Sequence, residues 1–257
     1  SKDYASRDIF SVEFRASLPV EDQMTSFLGK EASEFIDNNK DEPFVLYVST
    51  FEPHSPYSGP LNGLYDPEKL PVGPSFLKKP EGVSEFNRVR SEYFMQYLEG
   101  GDISSDPYMQ KYLAVCDEDF STEKGWKEAR ANYFANITLV DNMVGDIISS
   151  LEKNNISENT IVVFTSEHGE MMGDHGLLEK RALYEEASRV PLLFKVPWLN
   201  NQQKMIDGSI SHIDLVPTLM DLIGEDLPDH LQGKSRKGVF EGTENLDDNN
   251  VVVPFRR

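Results

Sequence analysis

The sequence predicts an α/β domain with a mostly parallel sheet flanked by helices. Three observations carry this. Ile161, Val162, Val163 and Phe164 form a short apolar, β-branched run, the pattern of a strand covered on both faces. A long amphipathic helix over Trp126–Lys153 leads into that run through Asn154-Asn155, which makes a right-handed crossover unit. Two more apolar runs, Phe44–Val48 and Pro191–Val196, read as further strands.

In chain order, residues 1–19 show no clear periodicity. Glu21–Asn39 reads as a helix, with Met24, Phe27, Leu28, Ala32, Phe35 and Ile36 near helical spacing. Asn38-Asn39-Lys40-Asp41 ends it and Pro43 opens the strand Phe44–Val48. From Pro53 to Thr122 prolines and glycines recur, so regular structure is sparse apart from a short helix near Glu85–Leu98. Loops of this length are commonly functional, and this one is expected to roof a substrate pocket. Tyr133, Phe134, Ile137, Val140, Val144, Ile147, Ile148 and Leu151 form the predicted stripe of the long helix. Asp214–Ile223 is a helix ended by Gly224. The tail from Pro228 is polar, with a last apolar run at Val251–Val253.

The chemistry gathers just past the central strand. Thr165-Ser166 is followed at once by Glu167, His168, Glu170, Asp174 and His175, with Gly169 and Gly173 allowing close turns. Ligands of open parallel sheets bind past the carboxyl ends of strands. A carboxylate beside an imidazole can ligate a metal or share a proton, and the same residues also suit a solvated turn with a helix cap.

Composition narrows the classes. A chain of 257 residues with 39% hydrophobic content can bury one sizeable core. No apolar run approaches the ~20 residues of a membrane-spanning helix. The formal charge of −19 argues against nucleic acid or an anionic membrane as a general partner. An anionic substrate must therefore be held by local positive charge. The one cysteine, Cys116, has no partner for a disulfide within the chain, and Asp117-Glu118 beside it raise rather than activate a thiol.

Three blocks resemble one family. Thr165-Ser-Glu-His-Gly-Glu-Met-Met-Gly-Asp-His-Gly-Leu177, then Glu179-Lys180, Tyr184-Glu185-Glu186 and Arg189-Val-Pro-Leu-Leu193, is similar to the C-terminal signature of the type I sulfatases, of the alkaline-phosphatase-like superfamily. Phe44–Tyr57, with Pro53-His54-Ser55-Pro56-Tyr57, resembles the family's Pro-His-x-Pro-Tyr segment, and Ser211–Gly224 its late helix. The resemblance implies an alkaline-phosphatase-like fold and a hydrolase of sulfate esters that uses Ca²⁺ and a formylglycine nucleophile. It places Glu167 and His168 at two metal positions, commonly Asp followed by Asn or His. Glutamate there is a departure, its extra methylene moving the carboxylate by roughly 1.5 Å. Lys180 matches the lysine that contacts sulfate and nucleophile, and an ammonium suits a tetrahedral oxyanion. His54 matches the histidine near the scissile oxygen, an acid or a substrate clamp. His175 is a pocket residue or a loop tie, and His212 and His230 read as structural.

Other family features are absent from these residues. There is no Cys/Ser-x-Pro-x-Arg: Ser17-Leu-Pro-Val-Glu21 ends in Glu, and Cys116 is followed by Asp117-Glu118. The Lys-x-His segment is missing, and the adjacent pair Asp247-Asp248 lies in the polar tail. The chain is therefore expected to be one partial sulfatase catalytic domain over 1–257, lacking the N-terminal nucleophile half, with 228–257 as the start of a C-terminal subdomain. The expected substrate is a sulfated small molecule or glycan. The cation site is expected to be incomplete, the chain inactive alone, and its open edge to self-associate or pair with the missing half. The family is often secreted or periplasmic, which leaves the compartment of this chain open. A phosphonate or phosphate monoester hydrolase of the same superfamily, and a non-catalytic binding module, are the competing readings.

Overall fold

The computed structural model describes residues 18–102, 113, 116–199, 204–246 and 251. The pair Asp247-Asp248 and most of the run Val251–Val253 lie outside the described residues. The chain divides into two compact units, Ser1–Phe194 and Lys195–Arg257.

In the first unit, a 3-10 turn at Val20–Asp22 leads into helix α1, Met24–Asn39. Its buried face is Thr25, Gly29, Ala32 and Ile36. That face lies against α3, Glu123–Lys153, and the approach is close: a Cβ on Gly29 would stand 3.1 Å from Met143 Cγ. The expected stripe is thus corrected in part. Met24 and Phe27 are more than half exposed, because close contact between two helices selects small residues and turns the bulky ones outward. Asn154 Nδ2 and Lys153 Nζ bind Asp37 at 2.5 and 3.0 Å, tying the end of α1 to the end of α3.

Helix α2 spans Glu85–Leu98, as the sequence predicts, with the Ser84 hydroxyl accepting from Asn87 N at its start. Helix α3 begins where Thr122 accepts from Gly125 N at 3.0 Å. A Cβ at Gly125 would meet Asp119 O at 2.0 Å, so the turn into α3 requires glycine. The buried stripe of α3 includes Trp126, Ala129, Asn136, Leu139, Val140, Met143 and Leu151. Of the predicted stripe, Ile137 is exposed and Val144, Ile147 and Ile148 are half-buried. The main core joins α2, α3 and two loops through Tyr57, Phe94, Met95, Phe120, Trp126, Ala129, Met172 and Leu178. Phe94 and Phe120 meet Trp126 edge-on, at centroid distances of 5.5 and 4.8 Å, a favoured aromatic geometry.

Strands β1, Val162–Thr165, and β2, Leu192–Lys195, are hydrogen-bonded neighbours in a two-stranded sheet. Neither is covered on both faces as expected: β1 is half-buried throughout and β2 alternates. The run Phe44–Val48 is extended but forms no strand among the described residues. Its burial alternates with a period of two, leaving Val45 94% and Tyr47 87% exposed. A strand needs a ladder partner, and none of the described residues lies beside it as one.

In the second unit a 3-10 turn, His212–Asp214, runs into a helix at Leu215–Ile223, which ends at Gly224 with φ +81°. Arg236 is buried and binds Asp214 and Glu244, each at 2.9 Å, while Asp214 also accepts from Lys234 N. Among the described residues no helix is long and apolar enough to cross a membrane.

Candidate active site

The site is built where β1 ends. Ser166 donates to His168 O at 2.8 Å, and Gly169 N donates to Ala187 O at 2.8 Å. A Cβ at Gly169 would stand 2.0 Å from Glu186 O, so the turn can lie against the short helix Glu185–Ser188 only with glycine there. The loop that follows folds on itself: Met171 N donates to Glu179 O and Gly173 N to Leu177 O. Four non-glycine residues in it are left-handed, Met172 at φ +42°, His175 at +55°, Glu179 at +63° and Arg181 at +75°. Such residues cost of order 1 kcal/mol or more each and persist where surroundings over-determine them. Here Met171, Leu177 and Leu178 are wholly buried, and Arg130 donates to Met172 O at 3.2 Å.

Lys180, between two of these strained residues, reaches across to the other loop. Its Nζ lies 2.5 Å from His54 Nε2, joining residues 126 apart in sequence. His54 Nδ1 faces Ser55 O at 2.8 Å; a carbonyl only accepts, so Nδ1 carries the proton and Nε2 offers its lone pair to the ammonium. The ring packs on Phe51 at 4.6 Å. Burial, with the Lys180 charge adding to it, holds the imidazole below its ordinary value, against the opposing pull of the Ser55 carbonyl. His54 is thus neutral at pH 7. Its loop is held by Asn136, which donates to Tyr57 O at 2.6 Å.

His168 stands beside this pair, its ring 6.5 Å from that of His54 and steeply inclined to it. His168 Nδ1 donates to Gly169 O at 2.7 Å, leaving the Nε2 lone pair outward, the arrangement of a metal-binding histidine. Glu167 Oε2 is 3.9 Å from that nitrogen, and its side chain is 93% exposed. The two donors suit a divalent cation by type but not by number. Ca²⁺ takes roughly six to eight ligands, and no group of three or more His, Cys, Asp or Glu that could hold a metal occurs among the described residues. These residues alone do not compose a cation site.

The structure thus brings His54, Glu167, His168 and Lys180 to one end of β1. His175 takes a different place. Its ring stacks on Tyr184 at 3.8 Å and 9°, its N–H binds Ser75 O, and its carbonyl accepts from Ser91. Cys116 is a partly buried free thiol pushed far up, by burial first and then by Glu118. Sequence reasoning assigned no role to Glu170, whose carboxyl is pushed up to about 7 by burial and by the charge of Glu179. It also passed over Arg90, which donates to Leu178 O at 2.7 Å and Lys180 O at 3.0 Å. Glu170 lay within the motif and was visible there; an arginine on a helix surface carries no such mark.

Residues 3–225 match the family described as Sulfatase. Arylsulfatase K of Canis lupus familiaris is 32% identical over 225 residues, 83% of this chain and 37% of that protein. Among solved structures, the phosphonate monoester hydrolase of Silicibacter pomeroyi aligns with a TM-score of 0.71 at 23% identity, covering 96% of this chain and 46% of that one. A protein solved in complex with its substrate D-glucosamine-2-N,6-O-disulfate aligns with a TM-score of 0.67 at 20% identity, over 88% of this chain and 53% of that one.

Proposed function

The chain belongs to the sulfatase family and has an α/β fold of alkaline-phosphatase-like type, and from that premise we propose that it carries part of the active site of a sulfuric ester hydrolase. The observation that supports this reading is the Lys180–His54 bond, which sets an ammonium and a neutral imidazole together at the end of β1. Lys180 holds the non-bridging oxygens of the sulfuryl group as negative charge builds on them. His54 fixes the direction of that ammonium, and the proton shared between Nζ and Nε2 is available to a departing ester oxygen. Glu167 and His168 would supply two of the ligands of a divalent cation such as Ca²⁺, and that cation would offset charge on the sulfate oxygens.

The substrate in this reading is a sulfated small molecule or glycan. The disulfated glucosamine bound by one structural relative supports the class. The charge of −19 repels anions in general, so in this reading capture of the sulfate falls to the local lysine. The 257 residues hold no Cys/Ser-x-Pro-x-Arg, and they span 37% of the length of the curated relative. The nucleophile and the remaining cation ligands then belong to parts of the natural protein beyond these residues, and the chain alone does not turn over substrate.

Likeness to a phosphonate monoester hydrolase favours a second reading, the hydrolysis of phosphonate or phosphate monoesters. One assay separates the two. The longest natural protein that carries this chain is given an aryl sulfate and an aryl phosphonate. The sulfatase reading expects the larger kcat/KM on the sulfate, and a drop of about 100-fold or more for Lys180→Ala, of the size seen when one charge-stabilising donor is removed. Preference for the phosphonate selects the second reading, and turnover indifferent to Lys180→Ala overturns both.

A further inference from the structure

We propose that Arg90 is the positioning residue of Lys180, a guanidinium clamp that holds the lysine loop in the conformation that delivers the ammonium to His54. Lys180 lies between Glu179 and Arg181, both left-handed, so the segment is strained without an external hold. Three successive carbonyls supply that hold. Glu179 O accepts from Met171 N inside the loop. Leu178 O and Lys180 O, on either side of it, both accept from Arg90, at 2.7 and 3.0 Å through its two terminal nitrogens.

The clamp is itself fixed. Arg90 sits on α2, one turn after Phe86, whose ring lies 5.4 Å from the guanidinium carbon. The next residue, Ser91, is buried and donates to His175 O at 3.0 Å, so one turn of α2 reaches three carbonyls of the 175–180 loop. Phe94 and Met95, further along the same helix, lie in the main core with Leu178. Packing of α2 therefore sets the position of the guanidinium, and the guanidinium sets the loop. A planar fork suits this task. It offers parallel donors at fixed separation and stays charged at every working pH, whereas a lysine at position 90 offers one flexible point charge.

The functional meaning rests on the reading of Lys180 as the oxyanion group, but the positioning can be tested apart from it. The readout is the ¹⁵N signal of His54 Nε2 at pH 8, which reports whether that lone pair accepts a hydrogen bond; it is assigned with His54→Gln. Lys180→Met defines the signal of a His54 without its donor. Arg90→Ala is expected to move the signal most of the way to the Lys180→Met value, Arg90→Lys to move it part of the way, and the Arg90→Ala/Lys180→Met double variant to add nothing further. A folded Arg90→Ala chain whose His54 signal stays at the wild-type value overturns the proposal, as does full retention in Arg90→Lys. If Arg90→Ala does not fold, Arg90→Gln, which keeps one donor, takes its place with the same criteria. Titration with inorganic sulfate is the second arm. Loss of sulfate-induced shifts in both Lys180→Met and Arg90→Ala supports clamp and oxyanion reading together. Sulfate shifts that survive Lys180→Met, beside a moved His54 signal in Arg90→Ala, defeat the oxyanion reading and leave the clamp supported.

Discussion

The two sides of the first unit differ in how completely they are held. On one side, residues 53–58 and 171–181 are fixed by α2 and α3 through Trp126, Tyr57, Leu178, Asn136 and two arginines. Every strained residue there has a buried neighbour or a hydrogen bond from another element. On the other side, the face of α1 that carries Met24 and Phe27 and the extended run at Phe44–Val48 expose apolar side chains. Phe35 meets Phe44 at 5.6 Å, and an open groove of about 650 Å³ lined by residues such as Leu28, Phe35, Leu46 and Val48 lies between α1 and that run. The contrast separates two kinds of order. Among the described residues, geometry set by helix-to-loop contacts is held, whereas the extended run has no ladder partner.

The largest expected effect breaks the held side. Trp126 is buried between Phe94 and Phe120, and its indole N–H donates to Phe120 O at 2.9 Å. Trp126→Ala removes that packing and orphans the carbonyl, at a cost of about 3–5 kcal/mol. Urea unfolding reads the loss, and the His54–Lys180 signature should vanish with it. If the signature survives so large a destabilisation, the core does not position the site.

A smaller effect sharpens the same side. Glu118 is buried; Oε1 accepts from Asn132 at 2.8 Å and from Ser58, while Oε2 has no hydrogen-bond partner among the described residues. Burial raises its pKa, against the opposing hydrogen bond from Asn132. The folded state therefore binds the proton more tightly than the unfolded one. Its stabilising proton is fully present below the unfolded value of 4.5 and is lost as pH rises through the folded value. Glu118→Gln should stabilise the chain at pH 8 by on the order of 1 kcal/mol and flatten stability against pH above that unfolded value. An unchanged pH profile would mean that the carboxylate is solvated rather than buried.

Cation binding by this chain should be weak in absolute affinity. With Glu167 exposed and no group of three or more His, Cys, Asp or Glu that could hold a metal among the described residues, Ca²⁺ should bind this chain with a Kd in the millimolar range, about 4 kcal/mol of binding free energy. Calorimetry that finds sub-micromolar affinity would show ligands that the described residues do not reveal.

Much of the helical frame was legible in the sequence. Glu85–Leu98 was placed as a short helix within a proline- and glycine-rich stretch, and Gly224 marked the end of its helix by needing a left-handed conformation that glycine supplies cheaply. The face of α1 was misjudged because pattern reading weighs apolar bulk, while close helix approach uses Thr25, Gly29 and Ala32. The Phe44–Val48 run was read as a strand from its apolar residues, but it pairs with none among the described residues, because pairing is a non-local property that no local pattern guarantees. At the site, Glu167 and His168 announced polar chemistry without choosing between cation, proton and cap. It took the resemblance to connect them with Lys180 and His54. Arg90 left no trace, because a clamp on main-chain carbonyls 88 and 90 residues away imposes no spacing on the sequence.

The smallest change in stability, and the sharpest test of the open side, comes from Val45 and Tyr47. Both side chains are almost fully in water, so replacing them with lysine removes little packing, and urea unfolding should shift by no more than about 0.5 kcal/mol. Association is a different matter. An extended run with an alternating apolar face and no ladder partner among the described residues invites another strand, and lysine is the residue that blunts such edges. The wild-type chain should therefore show concentration-dependent self-association in sedimentation velocity, and Val45→Lys/Tyr47→Lys should shift it toward monomer while the His54–Lys180 signature stays unchanged. A wild-type chain that sediments as a monomer and melts cooperatively would show that these residues close their own core. The exposed run would then be an ordinary surface segment, and the difference between the two sides would be one of exposure alone.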